Sequence, residues 1–407
     1  MAACRSFSNA EYEDVSQFFG LDSSADAPFD GWADLIIPPT LLPTTVVSDL
    51  VSQILSSHIS PGNPKTLKNE ASTMAFSAGP FQTLVCLFGG AMKDRPKQVL
   101  PATELSSSGR VQCEVFCEES LLLFLRELKF DVGKNLPKAV AQVLCELYAA
   151  WHLNRRFHDD IPPARLPPVR ACLRDASTAY FVGYDWSALQ QAYRYLDITP
   201  GRARRPCLGV LGMYGFVFYP VTESLYSAAV YQISFSILFE GYLNAVKLYG
   251  QRSLSRSQAG DPQARGSHRA VQAKLIQALP MAVSDRESTR QWKTAIEHAY
   301  KAAGYLQKAQ SIRSNDAAKK GLESLQDSLQ AWPTKACSPM LKQQRDEYQA
   351  LIVARYESTL TEDSEMEQWS PEIPADVLSF NLDAVRRDVV ENFWKVSGVA
   401  TNCAHYC

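Results

Sequence analysis

A serine followed by alanine and glycine is the first place in this chain where the residue types and their spacing could support reactive chemistry. Ser77 ends a small apolar run over residues 73–76 and precedes Ala78 and Gly79. That order is typical of a strand ending in a tight turn, and open α/β sheets bind ligands at the carboxyl ends of their strands. We therefore expect the Ser77 hydroxyl to be exposed at that edge, where it could act as a nucleophile.

A tyrosine and a glutamate much later in the chain could serve the same site. Tyr219 and Glu223 are four residues apart, so on a helix their side chains would share one face. Of the 17 tyrosines, Tyr219 alone has a glutamate four residues on, and Glu223 is the only charged residue between Arg205 and Glu240. A buried carboxylate is costly unless it is paired. We expect Glu223, or its rival Glu240, to bind a cation such as a substrate ammonium group.

These residues resemble the active site of the cyclodipeptide synthases, which build diketopiperazines from two aminoacyl-tRNAs. That family has a catalytic serine in a Ser-Ala-Gly turn and a later Tyr-x-x-x-Glu on a helix. Ser77 and Tyr219 lie 142 residues apart, close to the family's usual separation. A further family tyrosine follows the pair. Tyr242 is the best-placed candidate for it, with Tyr226 and Tyr231 close by.

The resemblance implies a reaction and a role for each residue. Ser77 would attack the ester of the first aminoacyl-tRNA, Tyr219 and Glu223 would orient its amino group, and Gly79 and Glu240 would contact the substrate. A second aminoacyl-tRNA would then react, and the dipeptidyl-enzyme would cyclise to release a 2,5-diketopiperazine. No cofactor is expected, because the ester is already activated. The ATP-binding signatures of class I aminoacyl-tRNA synthetases and the P-loop do not occur in the sequence.

The length of the chain makes it more similar to the fungal arginine-containing cyclodipeptide synthases than to shorter bacterial members. That resemblance implies that one of the two substrates is arginyl-tRNA. An arginyl side chain would need a carboxylate for bidentate contact with its guanidinium. The candidates, which the sequence does not rank, are Glu114, Glu118, Glu119 and Glu240.

An arginine-rich window lies between the two motifs. Residues 155–205 contain nine arginines and five aspartates but neither lysine nor glutamate, in a chain of net charge −2. Arginine supplies many phosphate contacts, so the window predicts salt-sensitive binding to the tRNA backbone. The alternative is a solvated surface with local ion pairs. The candidate tRNA-binding residues are Arg155, Arg156, Arg202, Arg204 and Arg205.

Composition predicts a cytoplasmic protein without a metal site. Ten cysteines occur without a Cys-x-x-Cys pair, and the charged N-terminal residues do not form a secretory leader, which favours a reducing compartment. The groupings Cys113-x-x-x-Cys117 and Cys403-x-His405-x-Cys407 lack a second half at zinc spacing. The longest apolar stretch, residues 208–239, has uncharged runs of only 15 residues (208–222) and 16 residues (224–239), short of the ~20 of a membrane helix, and is expected in the core.

The order of apolar patterns predicts an α/β Rossmann-like domain with a mostly parallel sheet, like the catalytic domain of class I aminoacyl-tRNA synthetases, followed by a helical C-terminal extension. A linker is expected over 251–267 and helices over 270–330. The predicted domains are a loosely attached arm (1–40), the aminoacyl-transfer domain (41–260) and the helical extension (261–407). Inside the transfer domain, helices are expected over 44–58, 81–88 with Pro80 in its first turn, 120–128 and 139–153, and strands before Ser77 and over 111–116.

Two other classes of function fit the same residues. In one, the arginine window binds RNA without catalysis, and Ser77 is only a turn residue. In the other, the helices of residues 270–400 form an interaction scaffold that carries the function. Replacing Ser77 would abolish only an enzyme, whereas neutral replacements at Arg202, Arg204 and Arg205 would weaken an RNA-dependent role.

Overall fold

The computed structural model describes a mixed α/β protein. The described residues are 6–19, 21, 33–34, 40–59, 70–117, 121–129, 132–159, 161–175, 178–184, 216–222, 228–259, 285–333, 347 and 350–351. The helices are α1 (Tyr12–Phe19), α2 (Thr44–Ile59), α3 (Glu70–Cys86), α4 (Leu136–Phe157), α5 (Ala228–Ala259), α6 (Asp285–Ile312) and α7 (Asn315–Gln330). No helix in this part of the chain is long and apolar enough to cross a membrane.

The described residues contain nine strands, seven of which form one sheet. The strands are β1 (Ala33–Asp34), β2 (Met92–Pro96), β3 (Val99–Leu100), β4 (Gly109–Arg110), β5 (Cys113–Cys117), β6 (Leu121–Leu128), β7 (Val169–Arg174), β8 (Thr178–Tyr184) and β9 (Phe216–Thr222). The sheet order is β1-β9-β8-β7-β6-β5-β2, and β3 pairs with β4 separately. Among β2 and β5–β8, only β6 and β7 are parallel; β1 and β9 form a second, two-residue parallel pair.

The sheet is therefore mixed, and the expectation of a mostly parallel Rossmann-like sheet is wrong. Only three residues separate β5 from β6, and only three separate β7 from β8. Connections this short return the chain antiparallel, whereas a parallel pair needs a crossover of a dozen or more residues. The connection from β6 to β7 contains α4 and is such a crossover. The broader expectation, an α/β sheet with C-terminal helices, is confirmed.

Helices cover both faces of the sheet. On one face α4 packs with α1 and the turn before it, and on the other α3 and α5 pack with α2, α6 and α7. Phe7 is buried at the first face, where a Cβ on Gly109 would lie 2.2 Å from its ring. At the second face, Tyr249 of α5 stacks on Trp292 and meets Trp332. Residues 6–19 are thus part of the core rather than a loose arm, and the C-terminal helices share the core of the sheet.

Strand β6 was expected to be a helix and is a strand that is buried along its whole length. All eight of its residues, Leu121–Leu128, are buried. Five consecutive large apolar side chains suit a strand that is covered on both faces, and periodicity alone does not separate that pattern from a buried helix. The strand is irregular where Val115 pairs with Phe124 but Phe116 pairs with Leu122. There Asn154 of α4 accepts from the Leu122 N–H (2.8 Å) and donates to its carbonyl (2.7 Å).

The predicted helices over 44–58 and 139–153 are confirmed as α2 and α4, and the helical region after residue 270 as α6 and α7. The strand expected over 111–116 is β5. Helix α5 continues to Ala259, so the first half of the expected linker is helical instead. Residues 251–259 contain neither glycine nor proline, so nothing in this segment breaks the helix after its apolar residues end.

Two carboxyl groups are buried together under α4. Gln142 Nε2 donates to Glu127 Oε1 and to Glu146 Oε1, both at 2.8 Å, and Lys129 lies 2.9 Å from Glu127. Burial raises the pKa of Glu146 well above its ordinary value, and the neighbouring Glu127 raises it further. Glu146 is therefore protonated at a pH where an exposed glutamate is ionised.

We predict that Glu146→Gln stabilises the protein more at pH 8 than at pH 5. As pH rises from the ordinary glutamate pKa through the raised pKa of Glu146, the unfolded chain loses a proton that the folded chain keeps, so wild-type stability falls. A neutral amide removes this loss and keeps an oxygen acceptor for Gln142. Thermal melting at the two pH values measures the effect, with Glu297→Gln on the exposed face of α6 as the control. An equal shift at both pH values would contradict the prediction.

Candidate functional site

Ser77 lies inside helix α3, so the expected strand and turn are wrong. The helix runs unbroken from Glu70 to Cys86, and Ser77 is only 1 % exposed. Its hydroxyl donates to the Met74 carbonyl at 3.2 Å, a local bond that a serine can make within a helix. Gly79 is also helical, and its carbonyl accepts from the Thr83 hydroxyl at 3.2 Å. Neither residue lies in a turn.

Pro80 interrupts the hydrogen bonding of α3 just after Ser77. It was expected in the first turn of a helix and lies in the interior instead. Because proline has no N–H, the carbonyl of Phe76 has no donor four residues on. Helices kink or bend at such positions. The serine therefore sits one turn before a weak point of its own helix.

Arg126 is the residue that turns Ser77 into part of a polar site. Its Nη2 donates to Ser77 Oγ at 3.2 Å, and its guanidinium carbon lies 4.0 Å from the centre of the Phe81 ring. Arg126 is 7 % exposed. A cation that donates to Oγ favours negative charge on that oxygen, and the effect is stronger in a buried site than in water. The serine oxygen thus has a partner suited to a nucleophile.

Tyr219 lies in strand β9 and not on a helix, so it cannot share a helix face with Glu223. It occupies one row of paired positions that runs across five neighbouring strands of the sheet, β5 to β9. The row runs Cys113, Arg126, Cys172, Phe181 and Tyr219 on consecutive strands. With strands about 4.8 Å apart, Tyr219 lies roughly 14 Å along the row from Arg126. Glu223 lies outside the described residues.

Tyr242 is fully buried in α5, and its hydroxyl is occupied by the C-terminal helices. It lies 2.7 Å from Ser328 Oγ and accepts from Trp332 Nε1 at 2.9 Å. The Trp332 ring stacks on the tyrosine with centroids 5.6 Å apart. Burial raises the pKa of Tyr242 above its ordinary value. These contacts tie α5 to α7, and none of them involves α3 or Ser77.

Glu240, expected to contact the substrate, already binds a guanidinium of this chain. Its Oε1 lies 3.4 Å from Arg170 Nη2, and its side chain is 25 % exposed. Of the other carboxylates considered for an arginyl side chain, Glu114 is buried in β5. Glu118 and Glu119 lie outside the described residues.

The arginine window divides into exposed and buried members. Arg155 and Arg156 are exposed in the last turn of α4, where the helix dipole favours cations. Arg170 and Arg174 are instead buried in β7 and cannot contact an RNA backbone at the surface. Arg202, Arg204 and Arg205 lie outside the described residues.

Sequence reasoning missed Arg126 and the pair beside it. Cys113, which is paired with Arg126 in the sheet, donates its thiol hydrogen to the Asp94 carboxylate. Burial raises the pKa of the Cys113 thiol, and Asp94 raises it further, so the thiol is neutral. One signal in the sequence could have indicated Arg126. It is the one cation in the run Leu121–Leu128, in which every residue except Arg126 and Glu127 is apolar.

Comparisons with known proteins add no family to these observations. No protein-family model matches the chain, and no curated protein matches it. Within the described ranges, no three His, Cys, Asp or Glu side chains are grouped to hold a metal ion. The polar contacts around Ser77 are therefore the starting point for a functional proposal.

We predict that Tyr242→Phe lowers the free energy of unfolding by about 1–3 kcal/mol, because it leaves the buried Trp332 N–H without its acceptor. Urea denaturation measures the change. Tyr300→Phe is the matched control, since Tyr300 is 51 % exposed and removal of its hydroxyl should change stability little. An unchanged midpoint for Tyr242→Phe would show that the hydrogen bond contributes nothing to the fold.

Proposed function

We propose that this protein is a tRNA-dependent cyclodipeptide synthase, an aminoacyltransferase in which Ser77 is the nucleophile. The observation that carries the proposal is the hydrogen bond from Arg126 to Ser77 Oγ. This bond gives Ser77, which the Ser-Ala-Gly motif singled out, a buried cationic partner. A serine in an ordinary helix does not need such a partner. The substrates would be two aminoacyl-tRNAs, one of them arginyl-tRNA by the subfamily resemblance. A cytoplasmic location follows from these substrates.

The first step forms a seryl ester. Ser77 Oγ bonds to the ester carbonyl carbon, the bond from that carbon to the ribose oxygen breaks, and the serine proton passes to the ribose oxygen. Arg126 favours the ionised form of the Ser77 oxygen as its proton leaves, before the bond to the carbonyl carbon forms. The ester supplies its own activation, so neither ATP nor a metal ion takes part in the balance of this step.

The second and third steps form two amide bonds. The amino group of the seryl-bound residue attacks the second aminoacyl-tRNA and releases its ribose hydroxyl. The amino group of the new dipeptide then attacks the seryl ester, which closes the ring and returns the proton to Ser77. The family resemblance assigns the binding of amino groups to Tyr219 and Glu223. The support for the role of Tyr219 is its place in the row of sheet positions that contains Arg126.

Tyr242 and Glu240 have different roles in the proposal from those first expected. Tyr242 holds the C-terminal helices through Ser328 and Trp332, so we place it among the structural residues. Glu240 pairs with Arg170 at the same sheet face. Of the residues carried over from the family, Ser77 has the strongest support.

Ser77 becomes accessible only if α3 moves, because the serine is 1 % exposed. Pro80 gives the helix a point at which to bend, three residues from the nucleophile. The feature that this proposal shares with Rossmann-type synthetase domains is the β6–α4–β7 crossover. Its two parallel strands carry Arg126 and Arg170.

Ser77→Ala should abolish product formation, because no other group replaces the nucleophile. The assay is mass spectrometry of small molecules after incubation with tRNA, aminoacyl-tRNA synthetases, ATP and all twenty amino acids. Thr83→Val is the matched control: it removes a hydroxyl from the same helix, one that donates only to the Gly79 carbonyl. The mass of the cyclic dipeptide made by wild type and Thr83→Val identifies both substrates.

The outcomes separate the classes of function. A cyclic dipeptide from wild type and the control, but not from Ser77→Ala, supports the proposal. Product from Ser77→Ala would rule out the seryl-enzyme. No product from any variant, with charged tRNA present throughout, would leave RNA binding without catalysis as the better explanation if the chain binds tRNA, and the helical scaffold if it does not.

Arg155 and Arg156 should contribute to tRNA affinity by binding phosphate groups. Replacing both by glutamine is expected to weaken tRNA binding for all sequences and to lower the slope of log K against log salt by about 1 for each phosphate that is no longer neutralised. Filter binding at several salt concentrations measures the slope. Lys319→Gln with Lys320→Gln removes two exposed charges from α7 and is the control. Equal weakening in the two double variants would mean that net charge, not a site, drives binding.

A further inference from the structure

Three arginines lie on one face of the sheet, in the neighbouring parallel strands β6 and β7. Arg126 of β6 pairs with Cys172, and Arg170 and Arg174 stand two residues before and after Cys172 on β7. Side chains two apart on a strand share a face. The side-chain hydrogen bonds agree: Arg126 reaches α3 at Ser77, and Arg170 and Arg174 reach α5 at Glu240 and Tyr231. The layer between the sheet and these helices therefore holds three guanidinium groups.

Arg126 is a buried cation that makes no ion pair within the described part of the chain. Its side chain is more than nine-tenths buried, and among the residues that the structure describes it has no carboxylate partner. Its polar contact is a neutral hydroxyl and its other contact is the face of Phe81. A buried guanidinium without an anion costs several kcal/mol relative to a paired one.

Arg170 is only partly neutralised. Its side chain is 8 % exposed and, within the described residues, makes one ion pair, with Glu240 through Nη2 at 3.4 Å. Its Nε and Nη1 are buried and have no hydrogen-bond partner within the described part of the chain. A planar guanidinium can engage a carboxylate or phosphate through two parallel bonds, and the pair with Glu240 uses one. Nε and Nη1 of Arg170 could therefore donate to another oxygen acceptor in the same layer.

We propose that this layer binds an oxyanion, of the phosphate or carboxylate class, between α3 and the β6–β7 pair, with Arg126 as its main ligand and Arg170 as the second. The anion supplies negative charge beside Arg126 and accepts from the Arg170 N–H groups that have no partner among the described residues. Ser77 lies against the site as a neutral neighbour. The inference does not depend on acyl transfer, because it needs neither a nucleophilic serine nor an aminoacyl ester.

The test is direct binding of inorganic phosphate and of acetate to the full chain, by isothermal titration calorimetry in a zwitterionic buffer. The two ions distinguish the phosphate from the carboxylate class. Arg126→Gln should weaken binding about tenfold or more, and Arg170→Gln less, because each substitution removes a charge-assisted hydrogen bond. Ser77→Ala should bind as wild type does or more tightly. Arg290→Gln, at an exposed position of α6, is the control for a general reduction of positive charge.

Arg126→Lys is included in case Arg126→Gln does not fold. Lysine keeps the positive charge but lacks the planar guanidinium that can make two parallel hydrogen bonds. This variant should melt near the wild-type temperature and bind the anion more weakly than wild type. Saturable binding that falls in Arg126→Gln and Arg126→Lys, but not in Arg290→Gln, supports the site. No binding of either ion by folded wild type, or equal weakening in all three variants, overturns it. Binding by a chain that makes no cyclic dipeptide would keep this inference while removing the proposed enzyme.

Discussion

The burial of opposite charges at two consecutive residues of β6 constrains the rest of the structure. Arg126 and Glu127 point to opposite faces of a strand that is covered on both sides, and neither side chain can reach bulk water. Arg126 donates to Ser77 of α3, and Glu127 accepts from Gln142 of α4 and pairs with Lys129. A shift of β6 by one residue would exchange the two faces and leave both charges with the wrong neighbours. Helix positions and sheet register are therefore set together.

The parts of the fold that could be predicted are those with a local signal. Helix α2 was expected from the spacing of Val47, Leu50 and Ile54, and the structure places it over the same residues. Strand β6 could not be distinguished from a helix, because its leucines fill both faces and leave no period. The mixed character of the sheet depends on the lengths of the connections between strands. Those lengths follow only from correct strand bounds, and the sequence pattern placed β6 in a helix.

The candidate site shows the same division. Ser77 was singled out by its neighbours, but Gly79 and Pro80 are strong turn signals and led to the wrong element. The helix continues through Pro80 at a cost of about 3 kcal/mol, which the burial of Phe81, Leu84 and Val85 offsets. Arg126 could not be connected to Ser77 from sequence, because their hydrogen bond spans 49 positions and depends on how α3 crosses the sheet.

Asn154 gives the end of α4 a rigid mechanical link to the sheet. Its amide completes the hydrogen bonding of Leu122 where the ladder of β6 is irregular, so the helix and the strand share a bond pattern that normally joins two strands. Arg155 and Arg156 follow directly in the chain and face solvent. The two bonds to Leu122 therefore fix the exposed end of α4 to the strand that carries Arg126 four positions further on.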